Sequence, residues 1–365
     1  MIKNERVLSG VEKAVNSLCA LYESFGFSQY KMSKFEEYDL YAKNKDFLVS
    51  ENVITFTDTD GKLMALKPDV TLSIIKNAKD SVGVNKLFYN ETVYRVSKGT
   101  KSFKEFMQVG LECLGKIDEY EIIEVLMLAA KSLETISSEY ALDISHLGIV
   151  KGVLESANIS LDVEKQILTC LSDKNAQGVR AVCELEGVEK SKTEILEKLV
   201  SVYGAPNIVI SELKKLSLPK AAFDAVSELE RLVGALEVFG VKNLSVDFSV
   251  VNDVSYYNGV VFKGFISGIP TGILSGGEYD KLMQKMGKKS RAIGFAVYLD
   301  ELEKLNEKQK EFDVDVLLVY ADRNINDVCK VVKEITDGGE TVFAAKTVDE
   351  KIKAKRVVNL LKGGN

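Results

Sequence analysis

The sequence predicts an α+β fold in which helices flank an antiparallel sheet. Polar and apolar residues alternate with a period of two over residues 86–96 and 103–114, and the short turn-rich segment between them indicates a β-hairpin. Apolar residues recur at helical spacing between about 148 and 240, which indicates a helical insertion in the middle of the chain.

The C-terminal part of the chain has a different pattern. After a polar break at 306–310, an apolar strand is expected at 314–319, a helix at 326–335 and a second strand at 341–344. This order is typical of parallel βα units, and it is too short here for a complete doubly wound domain. We expect a main domain with the helical insertion and a truncated α/β segment, at 1–305 and 311–365.

Three elements are expected before the central hairpin. Residues 4–27 carry the apolar stripe of an amphipathic helix, and residues 30–41 have a strand-like pattern. Residues 53–66 predict a smaller hairpin, because the Asp-Gly pair at its centre readily takes the positive φ of a tight turn.

A helix is expected to start at Pro68, since proline is tolerated in the first helical turn. Asp69 and Thr71 then lie in that turn. Capping and the helix dipole are enough to explain both residues when they are considered alone.

Polar side chains on the central hairpin share one face of the predicted sheet. Gln108, Gly110 and Glu112 alternate with apolar neighbours on the second strand, and antiparallel pairing brings Arg95 of the first strand to the same face. A guanidinium and a carboxylate around a hollow floored by glycine suit a small zwitterion. A solvated hairpin face with incidental charges is an equally good explanation of the spacing.

Downstream, residues 118–134 predict an amphipathic helix, and β-rich sequence resumes at Leu244. Tyr256 and Tyr257 are adjacent in a predicted strand, so we expect them to face opposite sides of the sheet. His146 is the single histidine and lies beside apolar residues, which favours a hydrogen-bonded packing role over catalysis.

Composition narrows the function classes. The chain has 365 residues, 46% hydrophobic and 28% charged, as is usual for a globular protein with a substantial core. The net charge of −6, with lysine and arginine dispersed, gives no basic field for nucleic acid. Five separated cysteines and one histidine predict no metal site and favour a reduced, cytoplasmic compartment. No apolar run is long enough to span a membrane.

The hairpin also carries a resemblance to a known family. Tyr94-Arg95 and the run FMQVGLE at 106–112 resemble motif 2 of the class II aminoacyl-tRNA synthetases, most closely histidyl-tRNA synthetase. Four further segments follow in the family's order: ALKPDVT at 65–71, SYYNGVVF at 255–262, GGEYD at 276–280 and AIGFAVYLDEL at 292–302. The resemblance implies a class II synthetase-like sheet, with a C-terminal segment similar to the start of the anticodon-binding domain.

The resemblance implies an amino-acid pocket. Asp69 and Thr71 match the Glu and Thr that hold the amino group of histidine in the family sequence LRPEGT. Other pocket positions of the family are retained as well. The residues expected to bind a histidine-type ligand are Asp69, Thr71, Arg95, Gln108, Glu112 and Tyr257.

The same resemblance implies that the machinery for ATP is lost. Asn252, Glu278 and Glu301 stand where the family has arginines, and Ser97 stands where a motif 2 glutamate reads adenine. Amino-acid activation needs positive charge on the phosphates, so these changes remove transition-state stabilisation. We expect no catalytic residues and no cofactor.

Loss of the ATP machinery with retention of an amino-acid pocket resembles the regulatory subunit of ATP phosphoribosyltransferase. This implies a short catalytic subunit as partner, a role in the first step of histidine biosynthesis, and histidine as a feedback effector. Motif 1 implies a homodimer within a hetero-oligomer, although Ser33 occupies that motif's proline position. An active histidyl-tRNA synthetase and a free-standing amino-acid-sensing pseudoenzyme remain as alternatives.

Overall fold

The computed structural model describes residues 10–44, 53–78, 83–96, 101–250, 256–303, 312–348 and 351–360. These residues belong to two compact units, of which one spans Ala14–Leu302 and the other contains the chain from Glu303 onward. The linker predicted at 306–310 lies outside the described residues. None of the described helices is both long and apolar enough to cross a membrane.

The elements as far as the end of the first unit alternate between strands and helices. In chain order they are α1 (Gly10–Ser24), β1 (Ser28–Gln29), β2 (Phe35–Glu37), α2 (Tyr38–Ala42), β3 (Thr55–Thr57), β4 (Leu63–Leu66), α3 (Thr71–Asn77), β5 (Val84–Val96), β6 (Phe103–Gly115), α4 (Glu119–Ile136), β7 (Tyr140–His146), α5 (Leu147–Ala157), α6 (Leu161–Ser172), α7 (Ala176–Leu185), α8 (Lys190–Ser201), β8 (Tyr203–Gly204), α9 (Pro206–Leu213), α10 (Lys220–Val238), β9 (Leu244–Asp247), β10 (Val260–Ile266), β11 (Leu274–Glu278), α11 (Asp280–Lys285), β12 (Arg291–Tyr298) and α12 (Asp300–Glu303).

Nine of these strands form one sheet, in the order β1-β5-β6-β12-β11-β10-β7-β9-β8. The six central strands pair antiparallel, and the predicted hairpin of β5 and β6 is confirmed over its full length. Near the edges, β1 runs parallel to β5 and β9 runs parallel to β7. The predicted α+β class is therefore confirmed, but the sheet is mixed, with an antiparallel centre.

Helices α1 and α4 cover one face of this sheet. Tyr22 of α1 packs against Phe88 and Phe295, and its hydroxyl lies 2.9 Å from Ser132 Oγ of α4. Asp118 starts α4 with a reciprocal capping box, as its sequence suggests. Because side chains alternate along a strand, the polar residues of β6 face the opposite side of the sheet.

The small sheet β2-β4-β3 confirms the predicted hairpin at 53–66. Asp58 Oδ1 accepts from the amides of Asp60 and Lys62, and Gly61 adopts a φ of +80°. Two local expectations were wrong. The strand expected at 30–41 is short, because α2 begins at Tyr38, and the helix expected at Pro68 begins at Thr71.

The middle of the chain contains the six helices α5 to α10 and contributes the short strand β8 to the sheet. Helix α10 packs on α5 and α4, which ties the helices of this stretch to those behind the sheet.

The second unit contains β13 (Val314–Val319), α13 (Ile325–Asp337), β14 (Val342–Ala345) and β15 (Ala354–Asn359). Its three described strands are parallel, in the order β14-β13-β15. The predicted strand, helix and strand are confirmed. Strand β15 was missed, since half of AKRVVN is polar and most of the strand is exposed.

Candidate functional site

The predicted pocket residues converge on the face of the sheet that α1 and α4 leave uncovered. Glu112 on β6 lies opposite Leu87 on β5 and Gly294 on β12, while Gln108 lies opposite Glu91 and Tyr298. Cross-strand partners share a face, so these side chains form one continuous surface.

Glu112 is the centre of the site. Only 2% of it is exposed, and a Cβ on the facing Gly294 would lie 1.8 Å from Glu112 Oε2, so glycine is needed there to make room. Thr71 Oγ1 donates to Oε1 at 2.6 Å, and the Tyr279 hydroxyl donates to Oε2. Burial raises the Glu112 pKa to about 8, while these two hydrogen bonds oppose the rise.

The loop before α3 brings Asp69 and Thr71 to this carboxylate. Lys67 forms a buried ion pair with Glu91, and the Tyr94 amide donates to the Lys67 carbonyl at 2.9 Å. Together these contacts tie the loop to β5. Thr71 then lies at the first position of α3, where its hydroxyl reaches Glu112.

Asp69 and Arg95 form the other charged part of the site. Asp69 Oδ1 accepts from the Leu72 amide at 2.9 Å, so the expected capping role is real. Burial raises the Asp69 pKa, and the nearby Arg95 guanidinium opposes that rise. Arg95 Nε donates to the Pro68 carbonyl at 2.7 Å, and no carboxylate of the described residues lies within ion-pair distance of it. Its remaining N–H groups suit a ligand carboxylate.

The hollow expected above Gly110 is filled. A Cβ at Gly110 would lie 2.5 Å from the hydroxyl of Tyr89, the residue directly opposite on β5. The glycine therefore admits a phenol from its own sheet. Gln108, two residues earlier on β6, is 3% exposed and borders the same face.

The expectation for the two adjacent tyrosines was wrong. Strand β10 begins at Val260, so Tyr256 and Tyr257 precede it and are free of strand alternation. Their ring centroids lie 4.6 Å apart, and Tyr256 lies 5.8 Å from the ring of Tyr279. Burial raises the Tyr256 pKa, and the Asp69 carboxylate raises it further, which indicates that this phenol also borders the site.

Of the other predicted residues, Thr71 contacts the Glu112 carboxylate and Asp69 interacts with it electrostatically. Arg95 and Gln108 lie farther along the same face of the sheet, and Tyr257 packs against Gly277 at one side. Sequence reasoning missed Tyr89, Tyr256 and Tyr279. Tyr279 was within reach, since it lies in GGEYD, whereas the role of Tyr89 depends on strand register. In the part of the chain that the structure describes, no three His, Cys, Asp or Glu side chains are grouped to hold a metal.

A comparison with protein families decides the family. A model described as histidyl-tRNA synthetase matches residues 5–302, most of the chain. The chain belongs to the histidyl-tRNA synthetase family.

Relatives within this range bear a more specific name. A protein from Clostridium kluyveri named ATP phosphoribosyltransferase regulatory subunit is 28% identical, over 89% of this chain and 86% of its own length. A structure from Bacillus halodurans C, titled as an ATP phosphoribosyltransferase regulatory subunit/histidyl-tRNA synthetase, has a TM-score of 0.81 at 22% identity, covering 96% of this chain and 93% of its own.

A chain of the ATP phosphoribosyl transferase (HisG:HisZ) complex from Thermotoga maritima shares the fold as well. Its TM-score is 0.63 at 19% identity, with 79% of this chain and 97% of that chain covered.

Glu278, which stands where the family has an arginine, lies away from the site. Glu278 Oε2 lies 2.6 Å from Arg291 Nη2, and its Oε1 accepts from the Val260 amide at 2.9 Å. Glu278 on β11 lies opposite Ile293 on β12, the residue before Gly294. Because neighbouring residues of a strand point to opposite faces, Glu278 points to the face covered by α1 and α4, away from Glu112. This corrects the interpretation of Glu278 as a reversed charge on the ligand face. Ser97 and Asn252 lie outside the described residues, and Glu301 lies in α12.

A different departure from the synthetase family lies on the ligand face. By the resemblance of residues 292–302 to the synthetase motif, Tyr298 stands where the family has a glycine, and it is opposite Gln108 across β6 and β12. Its hydroxyl lies 3.0 Å from Ser275 Oγ, which holds the phenol over the sheet. A ring therefore occupies space that a glycine would leave open beside the amino-acid site.

Proposed function

We propose that this chain is the regulatory subunit of ATP phosphoribosyltransferase. It acts with a separate, short catalytic subunit in the first step of histidine biosynthesis, and it transmits feedback inhibition when histidine binds its own pocket. Two observations support the proposal: the Glu112 carboxylate is buried and is held by two hydroxyl groups, and relatives of the chain bear this name.

In this proposal each end of histidine has a partner. Arg95 receives the α-carboxylate, since its guanidinium faces no protein carboxylate at ion-pair distance among the described residues. Asp69 and Glu112 accept from the cationic and N–H groups, and Thr71 holds the Glu112 carboxylate in place. Gln108 and Tyr257 line the walls. A ligand cation compensates the two carboxylates, whose pKa values are raised by removal from water.

An active histidyl-tRNA synthetase is the weaker candidate. Its ATP would need open space beside the amino acid, where the Tyr298 phenol lies, and cations at positions occupied by Asn252 and Glu301. The chain therefore neither activates histidine nor binds tRNA in this proposal. It forms a homodimer within a hetero-oligomer in the cytoplasm, consistent with five free cysteines.

The decisive experiment reconstitutes the transferase. The chain is mixed with the short catalytic subunit from the same organism, phosphoribosyl-ATP formation is followed, and the mixture is run on a sizing column. We expect co-elution, a higher rate than that of the catalytic subunit alone, and inhibition by histidine. No complex and no change in rate would favour the free-standing amino-acid sensor.

A second assay addresses the synthetase directly. Histidine-dependent exchange of pyrophosphate into ATP should stay at the level of a blank prepared from cells that lack this chain. Exchange above that blank would refute the non-catalytic role.

A further inference from the structure

A cavity opens on the same face of the sheet, beside the Glu112 site. Its volume is about 580 Å³, within the range of small-molecule sites. Asp143 on β7, Lys263 on β10 and Ser275 on β11 are direct cross-strand neighbours and lie along its floor. Tyr257 lines this cavity too, so the cavity adjoins the Glu112 site.

The carboxylate and the ammonium on this floor do not pair with each other. Opposite charges directly across two antiparallel strands normally attract. Here the Lys263 stem passes over Gly272, where a Cβ would lie 2.4 Å from Lys263 Cε, and its ammonium lies 5.6 Å from the Phe265 ring centroid. The Asp143 carboxylate accepts no hydrogen bond and forms no ion pair with any described residue.

The opposite wall, by contrast, is satisfied internally. Lys174, from the helical insertion, lies 2.6 Å from Asp247 Oδ2, and Asp247 Oδ1 accepts from the Ser249 amide at 2.8 Å. This pair is neutral as a unit. The cavity therefore presents one carboxylate and one ammonium, from neighbouring strands, that form no ion pair with any described residue.

Asp143 is held in surroundings that favour a cation. Burial raises its pKa to about 6, the Asp247 carboxylate adds to the rise, and Lys174 and Lys263 oppose it. A positively charged ligand group beside Asp143 would relieve this cost, in the way that a buried charge gains from a close partner.

We propose that this cavity binds a second small zwitterion, a free amino acid whose ammonium contacts Asp143 and whose carboxylate contacts Lys263. Its side chain extends between Tyr257 and Tyr298, which form an aromatic wall. Charges of both signs favour a zwitterion over a phosphate, because Asp143 would repel a dianion. The proposal needs no property of the Glu112 site, and it holds whichever partner the chain regulates.

The test is ligand-observed saturation-transfer NMR with the standard amino acids at millimolar concentration against the full chain. We expect at least one amino acid to bind the Glu112→Gln variant as well as it binds the wild type. Asp143→Asn and Lys263→Met should each weaken that binding about ten- to a hundredfold, as expected for a lost charge-assisted contact. Lys263→Arg, which keeps the charge, should retain it.

Two further comparisons make the result specific. The amide and the N-acetyl derivative of the bound amino acid each lack one charge and should not compete. The control variants Asp162→Asn and Lys165→Met, an exposed pair on α6, should bind normally. Thermal unfolding confirms that every variant is folded. Absence of any binding to Glu112→Gln, or binding that survives Asp143→Asn, would overturn the second site while leaving the regulatory proposal intact.

Discussion

Glu112 and Glu278 are buried carboxylates on opposite faces of one sheet, and their partners differ in kind. Glu112 is 2% exposed and is held by two neutral hydroxyl groups, those of Thr71 and Tyr279. Glu278 is 3% exposed and is paired with the Arg291 guanidinium, which also lies 3.2 Å from Asp280. One carboxylate lacks a cation, and the other has one from its own chain.

In our proposal, this difference separates a carboxylate that binds a ligand from one that stabilises the fold. A buried carboxylate without a cation costs folding free energy, and such groups persist where a ligand supplies the missing charge. A carboxylate paired with a cation of its own chain has less need of a ligand, although burial raises the pKa of Glu278 as well and Arg291 only opposes that rise. Sequence alone made both residues look functional, Glu112 as a retained binding group and Glu278 as a lost catalytic cation.

The largest expected effect is on the pH dependence of folding stability, and it tests whether Glu112 lacks a cation. Its pKa rises from 4.5 to about 8 on folding, so its favourable contribution is complete below 4.5 and is lost as pH rises toward 8. Glu112→Gln removes this loss. As pH rises across that window, the free energy of unfolding of the Glu112→Gln variant should increase relative to that of the wild type, on the order of 1 kcal/mol per pH unit. Urea unfolding without ligand measures this difference. A constant difference would mean that Glu112 is already compensated.

The second effect tests the Glu278 pair. Arg291→Met leaves Glu278 buried without its cation and should lower the free energy of unfolding, measured in urea, by about 3 kcal/mol. This is the low end for a broken buried pair, because Arg291 is partly exposed. Adding Glu278→Gln to that variant should recover most of the loss. A cost no greater than that of a surface pair, about 0–1 kcal/mol, would show that the Arg291 contact is incidental.

The sequence predicts the face of a residue when that face depends on neighbours within one strand, and not when it depends on pairing between distant strands. Period-two alternation correctly places Glu112 and Gln108 on one face, because that property is local to β6. The face of Glu278 requires the register of β10, β11 and β12, which no local pattern supplies. The prediction for Tyr256 and Tyr257 was wrong for a related reason, since the start of β10 at Val260 depends on pairing with β7.

Contacts from distant segments were out of reach altogether. Lys174 belongs to a helical stretch in which the sequence shows no chemical signal, yet it pairs with Asp247, 73 residues away. Similarly, Tyr89 matters because it lies opposite Gly110, and a glycine facing a tyrosine is visible only after the strands are aligned.

Two glycines offer a matched test that leaves both carboxylates in place. A Cβ on Gly294 would lie 1.8 Å from Glu112 Oε2, and a Cβ on Gly259 would lie 2.1 Å from Glu278 Oε1. Each alanine substitution should cost about 1–3 kcal/mol through overpacking. Histidine binding, measured by calorimetry, should weaken in Gly294→Ala and persist in Gly259→Ala. Equal effects on binding would contradict the division between ligand and structural carboxylates.

The effect closest to function is on histidine affinity. A charge-assisted hydrogen bond is worth about 1.5–3 kcal/mol, so Glu112→Gln and Arg95→Ala should each weaken binding roughly ten- to a hundredfold. Glu105→Gln is the control, since Glu105 is an exposed carboxylate on the same strand. Calorimetry on the chain without the catalytic subunit gives these affinities.

The same variants connect affinity to regulation. Allosteric coupling is reciprocal, so if histidine acts through this pocket, the concentration that half-inhibits the assembled transferase should rise by about the same factor as the dissociation constant. Weaker binding with unchanged inhibition would mean that the effector acts elsewhere. In that case the charges around Glu112 would be an inherited binding site without a regulatory output, and the adjoining cavity at Asp143 and Lys263 would be the next place to test.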